Sequence, residues 1–351
     1  MSWMPMLYKT YQNVMSGDTE NLMPPLYPIA HTTQNAEVEV SLDVFGNWIG
    51  SAVVEENSKT LIPCTESSAS RTSHATPHPL CDKLQYVAGD YTAFGGTKGE
   101  QSHIDYMNAL KAWCNSAYGG EKVQAIYTYL QKNCLIRDLV NAGTLVCGED
   151  EKLLLKWTGD KAETPKIFKK IVGIQSDAFV RFRVSGGTSN ETAVWQDKQL
   201  QEDFIRYYAS TQNEKALCYV TGEMTACTDN HPSKIRNTGD KAKLISSTDT
   251  CGFKFKGRFT NAQQAVSVGY EVSQKAHNAL KWLVEKQGKR FGGKVFLLWG
   301  THNEKTPDPT ADGFDFYEDA AVPINTDESI ARRFNLAAAG YKAELSAHTE
   351  L

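Results

Sequence analysis

The sequence has no apolar run long enough to cross a membrane. Its longest runs are short, such as VFLLW at 295–299, whereas a transmembrane helix needs about 20 apolar residues. The first residues, MSWMPMLYKTYQNV, have no basic start followed by an apolar core and a small-residue cleavage site, so they do not resemble a secretory signal. We therefore expect a cytoplasmic protein with no membrane partner.

The eight cysteines include no CxxC pair. In a cytosolic chain of this size, scattered cysteines are typical of free and mostly buried thiols. One zinc site stays open as an alternative, because Cys218, Cys227, His231 and Cys251 carry zinc-type donors. Zinc ligands usually come in close pairs, however, and here only Cys227 and His231 are close in sequence. We expect neither a metal nor a cofactor.

Motifs of known catalytic sites are missing as well. The chain has no GxSxG, HExxH or P-loop, and no GxGxxG between a strand and a helix. His74 and His78 share one polar loop, but acid–base catalysis needs a partner that the sequence does not identify. We expect no enzymatic activity, and a metal-dependent nuclease or other hydrolase is the less favoured alternative.

What the sequence does contain is enough apolar material for a substantial core. Its 351 residues are 41% hydrophobic and 10% aromatic, as in an ordinary globular protein of about two domains. The pattern predicts an α+β fold with a β-rich N-terminal region, a helical insertion and a mixed sheet packed on a long helix. We expect the boundaries at 1–100 (β-rich), 101–165 (helical), 166–300 (basic, α/β) and 301–351 (acidic loop and terminal helical segment).

Periodicity places the main elements. Alternation over 36–54 predicts a β-hairpin with FGN at its turn, and LIPCT at 61–65 predicts a further strand. Three-residue steps predict helices over 101–116 and 121–133. Further predictions are strands over 166–172, 178–184 and 295–300, a long helix over 261–287 that starts with a Thr260–Gln263 capping box, and a helix over 328–346.

Charge is distributed very unevenly along the chain. Residues 231–294 carry thirteen basic and four acidic side chains, so this stretch has a net charge of +9 while the whole chain has −4. Such polarity is typical of one surface that attracts polyanions, although a solvated basic face without a partner is the alternative. The side chains that we predict to contact nucleic acid here are Lys234, Arg236, Asn237, Lys241, Lys243, Ser246, Ser247, Thr248 and Arg258.

Two other segments offer nucleic-acid contacts. In AFVRFRV, Phe179, Arg181 and Arg183 share a strand face that could stack on a nucleic-acid strand, but the polar face of a half-covered sheet is the more common interpretation. The polar stretch ESSASRTSHATPHPL follows a predicted strand and is long enough to carry function. Its candidate contacts are Ser68, Ser70, Arg71, Thr72 and Ser73, with Arg71 pairing a carboxylate as the structural alternative.

Several long, irregular blocks resemble one known family. They include LMPPLYPIAHTTQNAEVEVSLDVFGNW, PCTESSASRTSHATPHPLCDKLQYVAGD, VWQDKQLQEDFIRYY and HPSKIRNTGDKAKLISSTDTCGFKFKGRF, in that order. Together they resemble the large subunit of the type I-C (Dvulg subtype) CRISPR Cascade effector complex, over most of residues 5–300. Family members continue into a C-terminal helical bundle, so we expect this chain to correspond to the N-terminal portion.

The resemblance implies a non-catalytic subunit in RNA-guided antiviral defence. Such a subunit would recognise the protospacer-adjacent motif (PAM) in double-stranded DNA and help to open the duplex, with the 68–73 loop reading the motif. On this interpretation, Arg71→Ala lowers the preference for PAM-bearing DNA and hardly changes stability. The implied partners are target DNA, CRISPR RNA and other Cascade subunits, with room for a phage anti-CRISPR inhibitor. The alternative is a scaffold that contacts only guide RNA and protein.

Overall fold

The computed structural model describes residues 3–17, 22–55, 59–69, 71, 76–97, 99–212, 214–237, 239–245, 259, 262–301 and 349–350. The chain forms two compact units, Ala30–Thr211 and Met1–Ile29 with Gln212–Leu351. This division differs from the four predicted regions because the strand at 179–185 pairs with the N-terminal hairpin, and because the first residues pack with the C-terminal half.

The described residues form both helices and strands, as the predicted α+β class requires. The α-helices are α1 Trp3–Met15, α2 Glu66–Ala69, α3 Leu84–Val87, α4 Glu100–Cys114, α5 Glu121–Leu130, α6 Leu135–Asn141, α7 Lys166–Lys170, α8 Lys198–Ser210, α9 Ala262–Ala265 and α10 Tyr270–Gln287. The strands are β1 His31–Asn35, β2 Val38–Asp43, β3 Trp48–Val53, β4 Lys59–Pro63, β5 Asp82–Lys83, β6 Phe179–Ser185, β7 Lys215–Leu217, β8 Met224–Ala226, β9 Lys289–Phe291, β10 Lys294–Phe296, β11 Trp299–Gly300 and β12 Thr349–Glu350.

A mixed four-stranded sheet, in the order β3-β2-β6-β5, forms the centre of the 30–211 unit. The predicted hairpin is confirmed, since β2 pairs antiparallel with β3, and β2 also pairs in parallel with β6. Val40 lies opposite Phe182 and both side chains are fully buried. The alternating apolar residues of the two strands therefore meet in register and supply the core.

The predicted helices over 101–116 and 121–133 are confirmed as α4 and α5, and they lie in the same unit as this sheet. Helix α5 packs on β2 and β6, and α4 packs on α3 and α5. The turn of the β2–β3 hairpin approaches α5 closely at Gly46, where a Cβ would lie 2.7 Å from the Ala125 carbonyl oxygen and where φ is +76°. Only glycine fits this position without strain.

The second unit is built around two helices that are distant in sequence. Helix α1 packs along α10, so the first residues of the chain complete the C-terminal half. The Trp282 indole donates to the Pro24 carbonyl at 2.8 Å, and the Trp299 indole donates to the Thr10 hydroxyl at 3.2 Å. No helix in the described ranges combines the length and apolarity of a membrane span.

Three predicted elements differ in the structure. The prediction of a strand over 166–172 is wrong: Lys166–Lys170 is a helix, in which Ile167 alone is buried while Lys166 and Lys169 are exposed. The segment 295–300 is divided between β10 and β11. The long helix over 261–287 is interrupted before Tyr270, because Gly269 donates to the Cys218 sulfur and bridges to Cys227, which holds its backbone extended.

The α+β class is thus confirmed, but the long helix does not pack as expected. Helix α10 packs on α1 and belongs to the unit without the mixed sheet. The capping residue Thr260 and the predicted helix over 328–346 lie outside the described residues.

Candidate nucleic-acid interface

The candidate interface begins with a closed loop in what we term the basic segment, residues 231–245. The Lys234 amide donates to the Asp240 carbonyl at 2.8 Å, and Lys234 itself adopts a positive φ of 59°. Ile235 is only 8% exposed and anchors the loop, while the side chains of Lys234, Arg236 and Lys241 are exposed. The buried Ile235 side chain therefore anchors the loop, and the cationic side chains around it are exposed to solvent.

Arg236 holds this loop in shape. Its guanidinium donates to both carboxylate oxygens of Asp240, at 2.8 and 3.2 Å, and to the Gly293 carbonyl at 2.6 Å. Through these hydrogen bonds the Arg236 side chain lowers the pKa of the Asp240 carboxyl to about 2, and the Ala242 amide contributes. Asp240 is consequently ionised at neutral pH and is engaged within the loop.

The hairpin of β9 and β10, residues 289–296, extends the same surface; we term it the basic hairpin. Arg290 donates to the Arg236 carbonyl, so the hairpin and the loop are bonded in both directions. Arg290 and Lys294 are exposed. The basic hairpin contains no acidic residue, and Asp240 is the one acid of the basic segment. The two elements together form a cationic surface.

Two other predicted contacts of the basic segment have internal hydrogen bonds. Lys243 is half-buried and donates to the Asn230 side-chain oxygen. The Asn237 side-chain oxygen accepts from the Gly239 amide at 3.0 Å, although the residue is exposed. The remaining candidates, Ser246, Ser247, Thr248 and Arg258, lie outside the described residues.

The structure corrects the expectation for Ser68. Its side chain is 1% exposed, its hydroxyl accepts from the Thr65 amide at 2.9 Å, and it lies 3.0 Å from Nδ1 of His78. This hydroxyl is buried and is bonded within the first turn of the short helix α2, so it is not accessible to DNA. Ser70, Thr72, Ser73 and His74 lie outside the described residues.

Arg71 follows the structural alternative, since its guanidinium pairs with a carboxylate. Both terminal nitrogens donate to Asp82 at 2.7 Å, and one also donates to the Thr76 carbonyl at 3.1 Å. The guanidinium carbon lies 4.9 Å from the Tyr86 ring centroid. Because both terminal nitrogens of the guanidinium already donate to Asp82, they are not available for a bidentate contact with guanine. The structure therefore assigns Arg71 a structural role rather than base reading.

The arginines of β6 are likewise engaged inside the protein. Arg181 and Arg183 donate to the two oxygens of Glu39 at 2.9 and 3.0 Å, and their guanidinium carbons lie 3.9 and 5.2 Å from the Trp195 ring centroid. Arg181 is only 9% exposed. This face of the sheet is therefore a cross-strand ion cluster under Trp195, as the more common interpretation expected.

The residues of the open zinc alternative have other contacts. Cys218 accepts from the Gly269 amide at 3.2 Å, Cys227 accepts from the Ser267 hydroxyl at 3.4 Å, and His231 lies 2.8 Å from the Ser273 hydroxyl. Cys251 lies outside the described residues. Among those that the structure covers, no cluster of three His, Cys, Asp or Glu side chains could hold a metal ion.

These features define an α+β protein with a loop-built cationic surface of the kind that attracts phosphate backbones. The family model described as CRISPR-associated protein (Cas_Csd1) matches residues 7–350, nearly the entire chain. The chain therefore belongs to this family, which comprises large subunits of type I-C CRISPR Cascade complexes, as its sequence resemblance indicated. No curated protein matches the sequence.

Sequence reasoning missed part of this surface. Arg290 and Lys294 belong to the basic stretch but are not among the contacts that the sequence predicts. The signal is present in GKRFGGK, where two glycines separate two short runs that carry cations. A Gly-Gly pair at that spacing is typical of a hairpin turn, and such a turn would have indicated that both cations belong to one short element.

Proposed function

We propose that this chain is the non-catalytic, DNA-binding large subunit of an RNA-guided antiviral complex. In this role it recognises the PAM in double-stranded DNA and helps to open the duplex beside it. The observation that carries the proposal is the cationic surface formed by the basic segment and the basic hairpin. Membership of the Cascade large-subunit family supports it, because such a complex must hold DNA before guide RNA can pair with it.

The exposed cations suit contact with a phosphate backbone. The exposed cations of the two elements, which are bonded to each other, are Lys234, Lys241, Arg290 and Lys294. Arg236 holds the loop in shape, because its guanidinium is engaged by Asp240 and Gly293. Phosphate contacts of this type position a protein on DNA without reading its sequence. The surface therefore supplies affinity, and the reading of the motif belongs to another element.

We assign that reading to the loop that follows α2. Arg71 and Thr76 flank residues 72–75 in sequence and are joined by a hydrogen bond, while Asp82 fixes Arg71. The candidate contacts are Ser70, Thr72 and Ser73, whose hydroxyls can donate to or accept from base edges.

The salt dependence of DNA binding tests the cationic surface. We expect the triple substitution Lys234→Ala, Lys241→Ala and Lys294→Ala to weaken binding to all duplexes and to reduce the slope of log K against log [salt] by about 0.9 for each phosphate that the variant no longer neutralises. A matched triple substitution of the exposed lysines Lys9, Lys59 and Lys111 should leave the slope unchanged. Equal slopes for both variants would remove this surface from the interface.

Motif preference separates the proposal from the scaffold alternative. The binding affinity of the assembled complex is measured on PAM-bearing and PAM-scrambled duplexes. Complexes that carry Thr72→Ala or Ser73→Ala are compared with a complex that carries the triple lysine substitution. We expect the loop substitutions to reduce the preference ratio and the lysine substitutions to leave it intact. A complex without any preference would favour the scaffold. Cleavage of DNA by the purified chain in Mg²⁺, Mn²⁺ or Zn²⁺ would instead favour the nuclease.

A further inference from the structure

A cleft of about 420 Å³ lies in the 30–211 unit, away in sequence from the basic segment. This volume is within the roughly 300–1,000 Å³ that is usual for ligand pockets. The side chains and backbone that line it include Lys156, Trp157, Gly159, Lys161, Thr164 and Phe168. The Trp157 and Phe168 ring centroids are 6.4 Å apart and the rings are tilted by 35°, so the cleft has two aromatic walls.

The Trp157 wall is fixed by its own loop. The indole nitrogen donates to the Asp160 carbonyl at 2.9 Å, and the Asp160 carboxylate accepts from the Ala162 amide at 2.9 Å. Gly159 makes room for the ring, because a Cβ at this position would lie 2.6 Å from an indole carbon. The ring is thus held in place before any ligand arrives, which lowers the entropic cost of binding.

The charged side chains that line the cleft are both cationic, namely Lys156 and Lys161. Residues 152–173 contain six lysines against two acids, Asp160 and Glu163. Lys156 and Lys161 line the cleft and are exposed, and neither acid is among its lining residues. Of the other lysines, Lys166 pairs with Glu55 at the surface. An aromatic slot between cations is complementary to a flat ring that is flanked by negative charges.

We propose that this cleft takes one unstacked base of a single-stranded DNA, with Trp157 stacking on the base and with Lys156 and Lys161 at the adjoining phosphates. Aromatic side chains beside cations are the usual means of binding single strands without sequence preference. A nucleotide suits the site better than an aromatic peptide side chain, because only the nucleotide brings the negative charge that the lysines complement. The site extends the proposed function, since an opened duplex supplies such a strand.

The test measures binding of the full chain to two fluorescein-labelled oligonucleotides of twelve units, an oligothymidylate and an abasic strand of equal length. We expect Trp157→Ala to weaken binding to oligothymidylate by at least about fivefold, the effect of losing one base–aromatic stack, and to leave the abasic strand unaffected. Phe45→Ala is the matched control, since Phe45 is an aromatic that is 77% exposed in the same unit. It should change neither affinity.

Further variants protect the test against loss of folding. Gly159→Ala keeps the indole but pushes it aside, so it should weaken oligothymidylate binding as Trp157→Ala does, while Trp157→Phe should retain most of the affinity. The double substitution Lys156→Ala and Lys161→Ala should weaken binding of both oligonucleotides. The variant with Lys234, Lys241 and Lys294 replaced should keep the difference between the two strands, so failure of the duplex surface is distinguishable from failure of the cleft.

Three outcomes would overturn the proposal. The first is wild-type protein that does not bind oligothymidylate, or Trp157→Ala that binds it as wild type does. The second is equal weakening of both oligonucleotides by Trp157→Ala, which would show that Trp157 does not stack on a base. The third is a Trp157→Ala variant that binds both oligonucleotides as wild type does but no longer co-purifies with other Cascade subunits. That result would show that the cleft binds a protein side chain.

Discussion

The carboxylate of Asp82 is fully buried and accepts four hydrogen bonds. Two come from Arg71, and one each comes from the His78 and Lys83 amides, at 2.6 and 2.8 Å. A charge in such a place is tolerated only while its cation is present, because solvation by water has been lost. This pair therefore ties Arg71 to stability and explains why a role in base reading does not fit it.

We expect Arg71→Ala to lower the free energy of unfolding by about 3–5 kcal/mol, because it leaves the buried Asp82 charge uncompensated. Arg71→Lys should restore only part of the loss, since lysine cannot form the two parallel bonds. Urea unfolding measures both. The control is Arg71→Ala combined with Asp82→Asn, which should be closer to wild type than the single variant. If Arg71→Ala unfolds at the wild-type urea concentration, the pair is not structural.

His78 gives the protein a dependence on pH. Burial lowers the pKa of this side chain to about 4, from an ordinary value near 6.5. Because the folded state takes up the proton less readily than the unfolded state, the stabilising effect is complete above pH 6.5 and is lost as the pH falls from about 6.5 to about 4. Burial lowers the pKa values of His231 and His277 to about 4 in the other unit as well.

We expect His78→Gln to make the loss of stability between pH 6.5 and pH 4.5 less steep. Removing one such proton should reduce the slope of the unfolding free energy by up to about 1.4 kcal/mol per pH unit. Urea unfolding at a series of pH values measures the slope. His231→Gln is the comparison, since it should affect the unit that contains residues 212–301. An unchanged slope in His78→Gln would show that this histidine titrates normally.

Helix α1 is the element on which the basic half of the chain depends. It packs along α10, with Leu7 only 1% exposed, while Lys275 of α10 lies 5.6 and 5.9 Å from the Tyr8 and Tyr11 ring centroids. The basic hairpin starts directly after α10. The N-terminal helix therefore supports, through one packed partner, the element that leads into the cationic surface.

We expect Leu7→Ala to destabilise the protein by about 2–5 kcal/mol, the usual cost of removing a fully buried leucine side chain. Lys9→Ala is the matched control on the same helix, since Lys9 is exposed and should change stability by less than about 0.5 kcal/mol. Thermal and urea unfolding of the two variants provide the comparison. Equal stability would mean that α1 contributes little to this unit.

The whole molecule divides at positions where the sequence shows no sign of a linker. Residues 30–211 contain the complete mixed sheet and the aromatic contact between Trp113 and Phe204, whose ring centroids are 4.9 Å apart. The other unit needs residues from both ends of the chain. One unit is therefore formed by a continuous stretch of sequence, whereas the other combines two separate stretches.

We expect a fragment of residues 30–211 to fold alone and to unfold cooperatively in urea, because its core is contained within that range. A fragment of residues 212–351 should not do so, because α10 loses its partner α1. Circular dichroism during urea titration measures both, and residues 1–29 added as a peptide should restore structure to the second fragment. A fragment of 30–211 without a cooperative transition would contradict the division.

Much of the local structure could be predicted from the sequence because it depends on local periodicity. The alternation at Val38, Val40 and Leu42 predicted a strand, and burial of the same side chains is what β2 shows. Prediction failed where the apolar pattern was short. The segment from Lys166 forms a helix, because the exposed Lys166 and Lys169 are compatible with a helix as well as with a strand. The uneven charge, the α+β class and the family were all visible in the sequence.

The roles of individual cations were decided only by the tertiary structure. Arg71 and Arg236 looked alike as candidates, and each pairs with an aspartate. Arg71 is only 19% exposed beside the fully buried Asp82, however, while Arg236 is 46% exposed on the cationic surface. Arg181 is neutralised by Glu39, which lies 142 residues earlier in the chain. Composition and periodicity are properties of neighbours in sequence, whereas the free energy of a charge depends on the groups within a few ångströms, and folding alone selects those groups.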